Sequence, residues 1–321
     1  MAERSVRRPL LLTSIALAAC ASSEPAVTEL RKDHDPAIAR EEHGKIEADA
    51  HRRDFTNVLL QLDKALDSYV RAISNTGVAR YDEERERLDR LLRQLVRGTP
   101  SNDNTRKLIA VAGDSSDSFF QGIALAALGF ADNSPEVMPV ILQGAQLSDP
   151  LLVDRAILGL AILKDPRTPP GVVSAVMLDP KHPNEGRVNA SWALVTMQET
   201  SLHADEILPV WKHLLEDGKE DHPLLIANAV RGLGLSRDAQ YGALVARYLT
   251  HPTPRVRFNA AVALGRMNAQ DQWEKLLALL SPAETGPNVR LAARKALQAL
   301  AGNVDRGYDI ELWRREFQRG Q

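Results

Sequence analysis

The chain has 321 residues, of which 40 are Lys or Arg and 42 are Asp or Glu, so its formal net charge at pH 7 is −2. Hydrophobic residues make up 44% of the chain but aromatic residues only 5%, a composition that suits a core of stacked helices better than a sheet sandwich. The charge balance excludes the basic footprint of a nucleic-acid-binding protein, and the single cysteine excludes a disulfide framework.

The amino terminus has the layout of a secretory signal. Arg4, Arg7 and Arg8 precede an uncharged run over residues 10–19, which is too short to span a membrane. Cys20, the only cysteine, follows this run directly. Two alternatives remain open at this point: Cys20 is an ordinary thiol in the cleavage region of a signal, or the adjacent arginines belong to a twin-arginine signal.

The residues that lead to Cys20 resemble a bacterial lipoprotein signal. Residues 17–20 are Leu-Ala-Ala-Cys, which is similar to the lipobox of that class. The resemblance implies that Cys20 is the first mature residue and carries acyl chains, and that Ala21, where Asp is absent, directs the protein to the outer membrane facing the periplasm. Two or more acyl chains give stable anchoring. We therefore predict a signal peptide over residues 1–19 and a lipid-anchored protein of the bacterial cell envelope.

Residues 20–50 are poor in large apolar groups and rich in charges of both signs, which is typical of a tether. We predict a lipidated tether here. His34, His43 and His51 lie in or beside it but alternate with charged residues on no defined face, so a solvated segment is favoured over a metal site. Removal of residues 1–19 takes away three Arg and one Glu, which leaves 37 basic and 41 acidic residues and a net charge of −4.

Residues 51–100 contain two amphipathic helix patterns. The first, over about residues 52–74, has apolar residues at spacings of three and four. These residues are Phe55, Leu59, Leu62, Leu66, Tyr69 and Ile73. The second, over about residues 81–96, carries four Leu residues on one side and Glu and Arg on the other. We predict a helical hairpin that caps the array of helices after it; a partner-binding coiled coil is the alternative.

A repeated pattern occupies residues 118–300, with a Leu anchor every 31 to 39 residues. The six anchors are Leu128, Leu160, Leu194, Leu233, Leu264 and Leu297. Four residues before every anchor is Ala, and one residue before it is Ala or Gly. With an apolar residue eight positions before most anchors, these offsets trace one stripe of an α-helix, whose small residues let a neighbouring helix approach closely.

Prolines mark the start of four of these helices, because Pro is tolerated in the first turn. They are Pro150, Pro223, Pro254 and Pro287. A second apolar run follows the anchors of the first five units. These runs cover residues 137–147, 172–178, 207–215, 241–249 and 273–280. Each unit is therefore predicted to be a helix pair, and because one pair cannot bury its own apolar face, the pairs are expected to stack into an α-solenoid.

The repeats resemble the HEAT-repeat family in their Pro-x-Val-Arg segments, at Val256-Arg257 and Val289-Arg290, and in the Ala-x-x-Ala-Leu ends of their first helices. Arg187 occupies the equivalent place in an earlier unit. The resemblance implies a superhelical scaffold that usually binds other macromolecules, with the second helices on the concave surface. The Asp that usually precedes the Val-Arg pair is absent, so no regular Asp–Arg ladder is expected.

We predict an all-α fold: an α-solenoid of about six HEAT-like helix pairs over residues 101–302, an N-terminal hairpin and a short C-terminal capping helix within residues 303–321. Trp313, which shares a face of this last helix with Ile310 and Phe317, is expected to be a structural plug against the last repeat. Asn189, Asn228 and Asn259 share one column of the repeat and are predicted to form a ladder between neighbouring loops or helices.

The sequence contains no phosphate-binding loop, nucleophile elbow, zinc-protease helix or Cys-x-x-Cys motif. We therefore predict no enzymatic activity, no cofactor and no metal. The second helices carry the aromatic residues Trp211, Tyr241, Tyr248 and Trp273, which are candidate partner-binding residues because exposed Trp and Tyr are frequent hot spots. The alternative for each of them is a position in the core between repeats.

These patterns predict a membrane-anchored scaffold that binds a protein partner and no nucleic acid. Two alternatives use the same fold. One is a HEAT-like lyase or small-molecule-binding protein, and the other is a structural assembly factor of an envelope complex whose hairpin binds the partner.

Overall fold

The computed structural model describes residues 55–73, 79–99, 102–132, 135–216 and 218–319. All of them belong to one compact unit, residues 55–321. The predictions for the signal peptide over residues 1–19, for the tether and for Cys20 concern residues outside this part of the chain.

The described residues form fifteen α-helices. In chain order they are α1 (55–73), α2 (Ala79–Arg97), α3 (Asn104–Ala112), α4 (Ser118–Ala127), α5 (Val137–Gly144), α6 (Pro150–Leu163), α7 (Pro170–Leu178), α8 (Asn184–Gln198), α9 (Ala204–Glu216), α10 (Pro223–Leu235), α11 (Gly242–Ala246), α12 (Pro254–Arg266), α13 (Trp273–Ala278), α14 (Pro287–Leu300) and α15 (Ile310–Arg319). Short 3₁₀ turns extend several of them, at Leu128–Phe130, Ala239–Tyr241, Arg247–Thr250 and Gln270–Gln272. Two-residue strands, β1 (Gly98–Thr99) and β2 (Asn102–Asp103), pair antiparallel between α2 and α3.

The helices are arranged in serial pairs. The first helices of the pairs, α4, α6, α8, α10, α12 and α14, each pack against the next one in the series. The second helices α5, α7, α9, α11 and α13 each pack against the first helix of the following unit. The protein is therefore an all-α solenoid, as the repeat pattern predicts.

The repeat columns form the core of this solenoid. All six Leu anchors and the Ala four residues before each of them are 0% exposed. The prolines at positions 150, 223, 254 and 287 are the first residues of α6, α10, α12 and α14, where the missing N–H leaves no helical hydrogen bond unmade.

Successive first helices approach to backbone contact. A Cβ atom added to Gly234 in α10 would lie 2.9 Å from the Cα of Ala263 in α12, and one added to Gly265 in α12 would lie 2.9 Å from the Cα of Ala296 in α14. The residue that follows the Leu anchor of one first helix thus contacts the residue that precedes the Leu anchor of the next first helix. This contact explains why the column before the anchor contains only Ala and Gly.

Additional helices flank the array at each end. In α1 the residues Leu59, Leu62 and Leu66 are buried with the core, as the spacing of the apolar residues predicts. At the other end, Trp313 of α15 is 0% exposed, and its indole Nε1 donates to the Gly307 carbonyl oxygen at 3.0 Å. None of the helices in the described ranges combines the length and the hydrophobicity of a membrane span.

Candidate functional site

Two of the four candidate aromatic residues lie in the core. Trp211 is 0% exposed, and its Nε1 donates to Gln198 Oε1 at 2.9 Å. Trp273 is 8% exposed and stacks on Phe317 of α15, with ring centroids 5.0 Å apart. Trp211 and Trp273 are therefore core residues between repeats, which was the alternative that the sequence left open for them. Neither ring offers an exposed face to a partner.

The two candidate tyrosines are partly buried. The Tyr248 hydroxyl donates to the Leu215 carbonyl oxygen at 2.9 Å, which ties the turn after α11 to the end of α9. Burial raises the pKa of this hydroxyl. Tyr241 packs against the core from the turn that precedes α11. The four candidates therefore do not come together in one surface.

The asparagine column links neighbouring first helices. Asn228 Nδ2 in α10 donates to Ser191 Oγ in α8 at 2.8 Å, and Asn259 Nδ2 in α12 donates to the Ala227 carbonyl oxygen in α10 at 3.2 Å. Two members of the column thus form the ladder that the sequence predicts. These amides hold the helices together rather than lining a binding row.

An uncovered surface lies instead on α10, α12 and α14. It consists of four positions on one side of each helix, counted from the Leu anchors Leu233, Leu264 and Leu297. Three of these positions stand nine, six and two residues before the anchor, and the fourth stands two residues after it. We call this surface the open face. Its exposed and partly exposed members are Leu224, Arg231, Leu235, Arg255, Phe258, Val262, Arg266, Asn288, Leu291, Lys295 and Ala299.

The centre of the open face is apolar. Phe258 is 37% exposed and Leu291 is 44% exposed, although both lie in the middle of a helix. A groove of about 440 Å³ runs beside Phe258, with Arg231, Arg255 and Asn288 among its lining residues. Exposed apolar groups next to cationic side chains are typical of a protein-binding surface.

The hairpin covers the equivalent surface in the first units of the array. Phe130, two residues after the first anchor, is 1% exposed because the Tyr69 ring of α1 meets it edge to face at 5.1 Å and Arg93 of α2 lies over it. A cavity of about 680 Å³ separates the hairpin from Trp192 of α8 and Arg231 of α10. The surface is thus covered at the end of the first unit, where Phe130 lies, partly covered at α8 and uncovered at α12. At the start of α4, Phe119 is 50% exposed.

Charge is segregated on the three helices of the open face. Together α10, α12 and α14 contain six Arg and one Lys and no Asp or Glu, in a chain whose net charge is −2. Arg257 pairs with Glu284, and Arg294 pairs with Asp305. Four cationic side chains on the open face form no ion pair with any other described residue. They are Arg231, Arg255, Arg266 and Lys295.

The cations of the open face lie close enough to repel one another. Partial desolvation in the groove, and then the neighbouring charges of Arg266 and Arg255, lower the pKa of Arg231, while Glu199 opposes the shift. An acidic partner would relieve this repulsion. The open face was not predicted from the sequence, although three successive first helices without an acidic residue are visible there.

A histidine and an aspartate form a polar pair outside the open face. His182 Nε2, in the loop before α8, is 2.9 Å from Asp154 Oδ1 in α6, and burial raises the pKa of Asp154. The pair connects two successive units. Within the described ranges, no group of three or more His, Cys, Asp and Glu side chains is placed to hold a metal ion.

Comparison with known families identifies the repeats. Residues 208–301, from within α9 to the end of α14, match the family model for HEAT repeats. These residues are therefore HEAT repeats, and the solenoid that contains them is HEAT-like. The chain has no match among curated proteins.

Three solved structures are similar to this chain over about three quarters of its length. Human deoxyhypusine hydroxylase in complex with glycerol is 15% identical, with 77% of this chain and 98% of that chain covered and a TM-score of 0.33. The complex of CpcE and CpcF of phycocyanin lyase from Nostoc sp. PCC7120 is 16% identical, with coverages of 77% and 92% and a TM-score of 0.37. An engineered protein is 18% identical, with coverages of 73% and 96% and a TM-score of 0.34.

Proposed function

We propose that this protein is a HEAT-repeat scaffold that binds a separate protein on the open face of α10, α12 and α14 and performs no chemistry of its own. The observation that carries the proposal is the pairing of exposed Phe258 and Leu291 with unpaired arginines on one surface. Protein interfaces have an apolar centre and a polar rim, and Arg is enriched in them. The partner surface is expected to be apolar at its centre and acidic around it.

The open face is favoured over the hairpin as the binding element because the hairpin already uses its contact surface within the chain. Tyr69 of α1 packs on Phe130, and Arg93 of α2 lies over the same ring. Binding of a partner through these side chains would require their separation from the array. The open face needs no such rearrangement.

The scaffold is proposed to be held at a membrane of the cell envelope by lipid on Cys20. The support is the sequence alone: an uncharged run over residues 10–19 preceded by three arginines and followed by Leu-Ala-Ala-Cys. With this anchor the tether over residues 20–50 would present the solenoid, and its open face, to proteins of the same compartment.

Site-specific photo-crosslinking tests the binding site. A photoreactive phenylalanine analogue is placed at Phe258 in the full-length chain, and the control carries it at Leu202, which is 71% exposed in the loop before α9. We expect one defined adduct from position 258 and not from position 202. The trapped protein, once identified and purified, should bind the unmodified chain, and Phe258→Asp should weaken that binding by about tenfold or more.

Two results would contradict this proposal. One is an adduct pattern that is the same at positions 258 and 202. The other is a purified partner that binds Phe258→Asp and the wild-type chain equally well.

A further inference from the structure

We infer that the partner segment on the open face is an acidic amphipathic α-helix, which lies across α10, α12 and α14 as α1 lies over the beginning of the array. This inference rests on the proposed function, because it specifies the partner of the same surface. Four observations carry it: the internal contact of α1, the distribution of charge, the spacing of the exposed apolar residues, and the extent of the uncovered surface.

Helix α1 shows how this array receives an amphipathic helix. Its Asp63 and Asp67 carboxylates lie 3.8 and 3.9 Å from Arg155 Nη2 on α6. Its ring at Tyr69 contacts Phe130 at the end of the first unit. Acidic residues therefore face an arginine of a first helix, and an aromatic residue of the same helix covers an apolar residue of the array.

The open face offers the same chemistry without the covering helix. Phe258 and Leu291 stand at equivalent positions, six residues before their anchors, and both are exposed, whereas Phe130, two residues after the first anchor, is buried. Arg255 and Arg266 flank Phe258 on α12 at distances of one helical turn or two, and neither has an ion-pair partner among the described residues. A covering helix with carboxylates beside its apolar stripe would satisfy both sets of groups.

The distance between adjacent first helices is close to the rise of an α-helix over seven residues. Neighbouring packed helices lie about 8–10 Å apart, so α10 to α14 span roughly 20 Å, the length of about 13 helical residues at 1.5 Å each. Phe258 and Leu291, on adjacent helices, are then separated by about the 10.5 Å that joins residues i and i+7 of a helix. We expect the bound segment to be at least three turns long, with apolar residues at that spacing.

Nucleic acid and an anionic membrane surface would also meet the cations. A helical protein segment is favoured because Phe258 and Leu291 are exposed at the centre of the face, whereas a phosphate backbone is recognised by a continuous basic surface. The net charge of −2 for the chain also opposes long-range attraction to a polyanion.

Two designed peptides test the inference directly on the full-length chain. Both are about 16 residues long and carry Leu at positions i, i+3, i+4 and i+7; one has Glu beside the Leu stripe and the other has Lys at the same places. Binding is measured by fluorescence anisotropy. We expect the Glu peptide to bind at least about tenfold more tightly than the Lys peptide, with an affinity that falls as salt is added.

Charge reversal locates the binding. Arg255→Glu with Arg266→Glu should weaken binding of the Glu peptide by about tenfold or more and improve binding of the Lys peptide. The matched control, Arg106→Glu with Arg315→Glu, makes the same change in net charge at exposed positions on α3 and α15 and should leave both affinities unchanged. Circular dichroism verifies that all variants are folded.

Equal binding of the two peptides, or tighter binding of duplex DNA or of phosphatidylglycerol vesicles than of the Glu peptide, would overturn the inference. If position 258 still crosslinks a partner that position 202 does not, the proposed scaffold function stands and only the acidic-helix partner is wrong. If neither the crosslink nor the Glu peptide is specific for the open face, both are wrong.

Discussion

The guanidinium of Arg257 in α12 holds the carboxylate of Glu284 with two hydrogen bonds, Nε to Oε2 at 2.7 Å and Nη2 to Oε1 at 2.8 Å. Glu284 lies three residues before the first residue of α14, so the pair joins one unit to the next. Arg187 and Glu220 repeat the arrangement between α8 and the loop before α10. The absence of Asp before Val-Arg suggested that no regular ladder exists; in these two units the acceptor is instead a Glu just before the next first helix.

Replacement of Glu284 by Gln should lower the free energy of unfolding by about 1.5–3 kcal/mol, because it removes a charged acceptor from a nearly buried guanidinium. The side chains of Arg257 and Glu284 are only 14% and 5% exposed. Urea denaturation measures the change. The control Glu311→Gln removes an exposed pair with Arg314 and should change the free energy by no more than about 0.5 kcal/mol. Equal effects of the two substitutions would contradict the assigned role.

The same pair predicts a pH dependence. The hydrogen bonds from Arg257 hold the pKa of Glu284 below its ordinary value of 4.5. Because this pKa is lower in the folded than in the unfolded state, the stabilisation is complete above the unfolded value and is lost as the pH falls through the folded value. The free-energy difference between wild type and Glu284→Gln should therefore be constant from about pH 7 to pH 5.5 and shrink below about pH 4.5. A difference that stays constant to about pH 3 would refute the coupling.

Gly234→Ala should destabilise the protein although Ala is normally the better helix former. The added Cβ would lie 2.7 Å from the Cβ of Ala263 and 2.9 Å from its Cα, and overpacking of this kind costs about 1–3 kcal/mol. The control is Gly171→Ala in α7, where no atom lies within 4 Å of the added Cβ. Thermal unfolding of both variants should show a loss for Gly234 only. An unchanged melting temperature for Gly234→Ala would mean that the first helices separate more easily than the structure shows.

Trp211→Phe should lower stability without affecting the partner. The substitution removes the indole N–H that Gln198 Oε1 accepts and leaves that buried amide oxygen without its donor, at a cost of about 1–3 kcal/mol. Urea denaturation measures the loss, and the yield of the crosslink at position 258 should be unchanged below the unfolding transition. Loss of the crosslink at unchanged stability would instead identify Trp211 as a binding residue.

Cys20→Ser should release the protein from the membrane fraction, because no sulfur remains to carry the acyl chains that stable anchoring requires. Fractionation of cells that express the full-length chain, combined with metabolic labelling by a fatty-acid analogue, measures both properties. Membrane retention of the variant without lipid label would refute the anchor. The Glu284→Gln variant serves as the control, since it should stay with the membrane.

Local periodicity was sufficient to predict the helices of the array. The Leu and Ala columns that recur every 31 to 39 residues are all 0% exposed, because a helical stripe of this kind can be buried only against a neighbouring helix. The ends of the second helices were less predictable: the run over residues 241–249 is a five-residue α-helix, α11, between two 3₁₀ turns. Short helices are set more by packing than by propensity.

The candidate site depended on contacts that periodicity does not specify. Aromatic residues in a helix are equally compatible with a core and with a binding surface, and the sequence could not assign Trp211 or Trp273 to either one. In the structure Trp211 contacts Gln198, thirteen residues away along the chain, and Trp273 contacts Phe317 of α15. The hairpin covers Phe130 but not Phe258, and this difference created the open face.

The amino-acid sequence by itself determined that the chain forms paired helices stacked in serial order, because the spacing of small and apolar residues along a helix is a local property. Only the tertiary structure decided which side of those helices is covered. That outcome depends on where α1 packs against residues about 60 to 90 positions away along the chain, and contacts at such separations leave no period in the sequence.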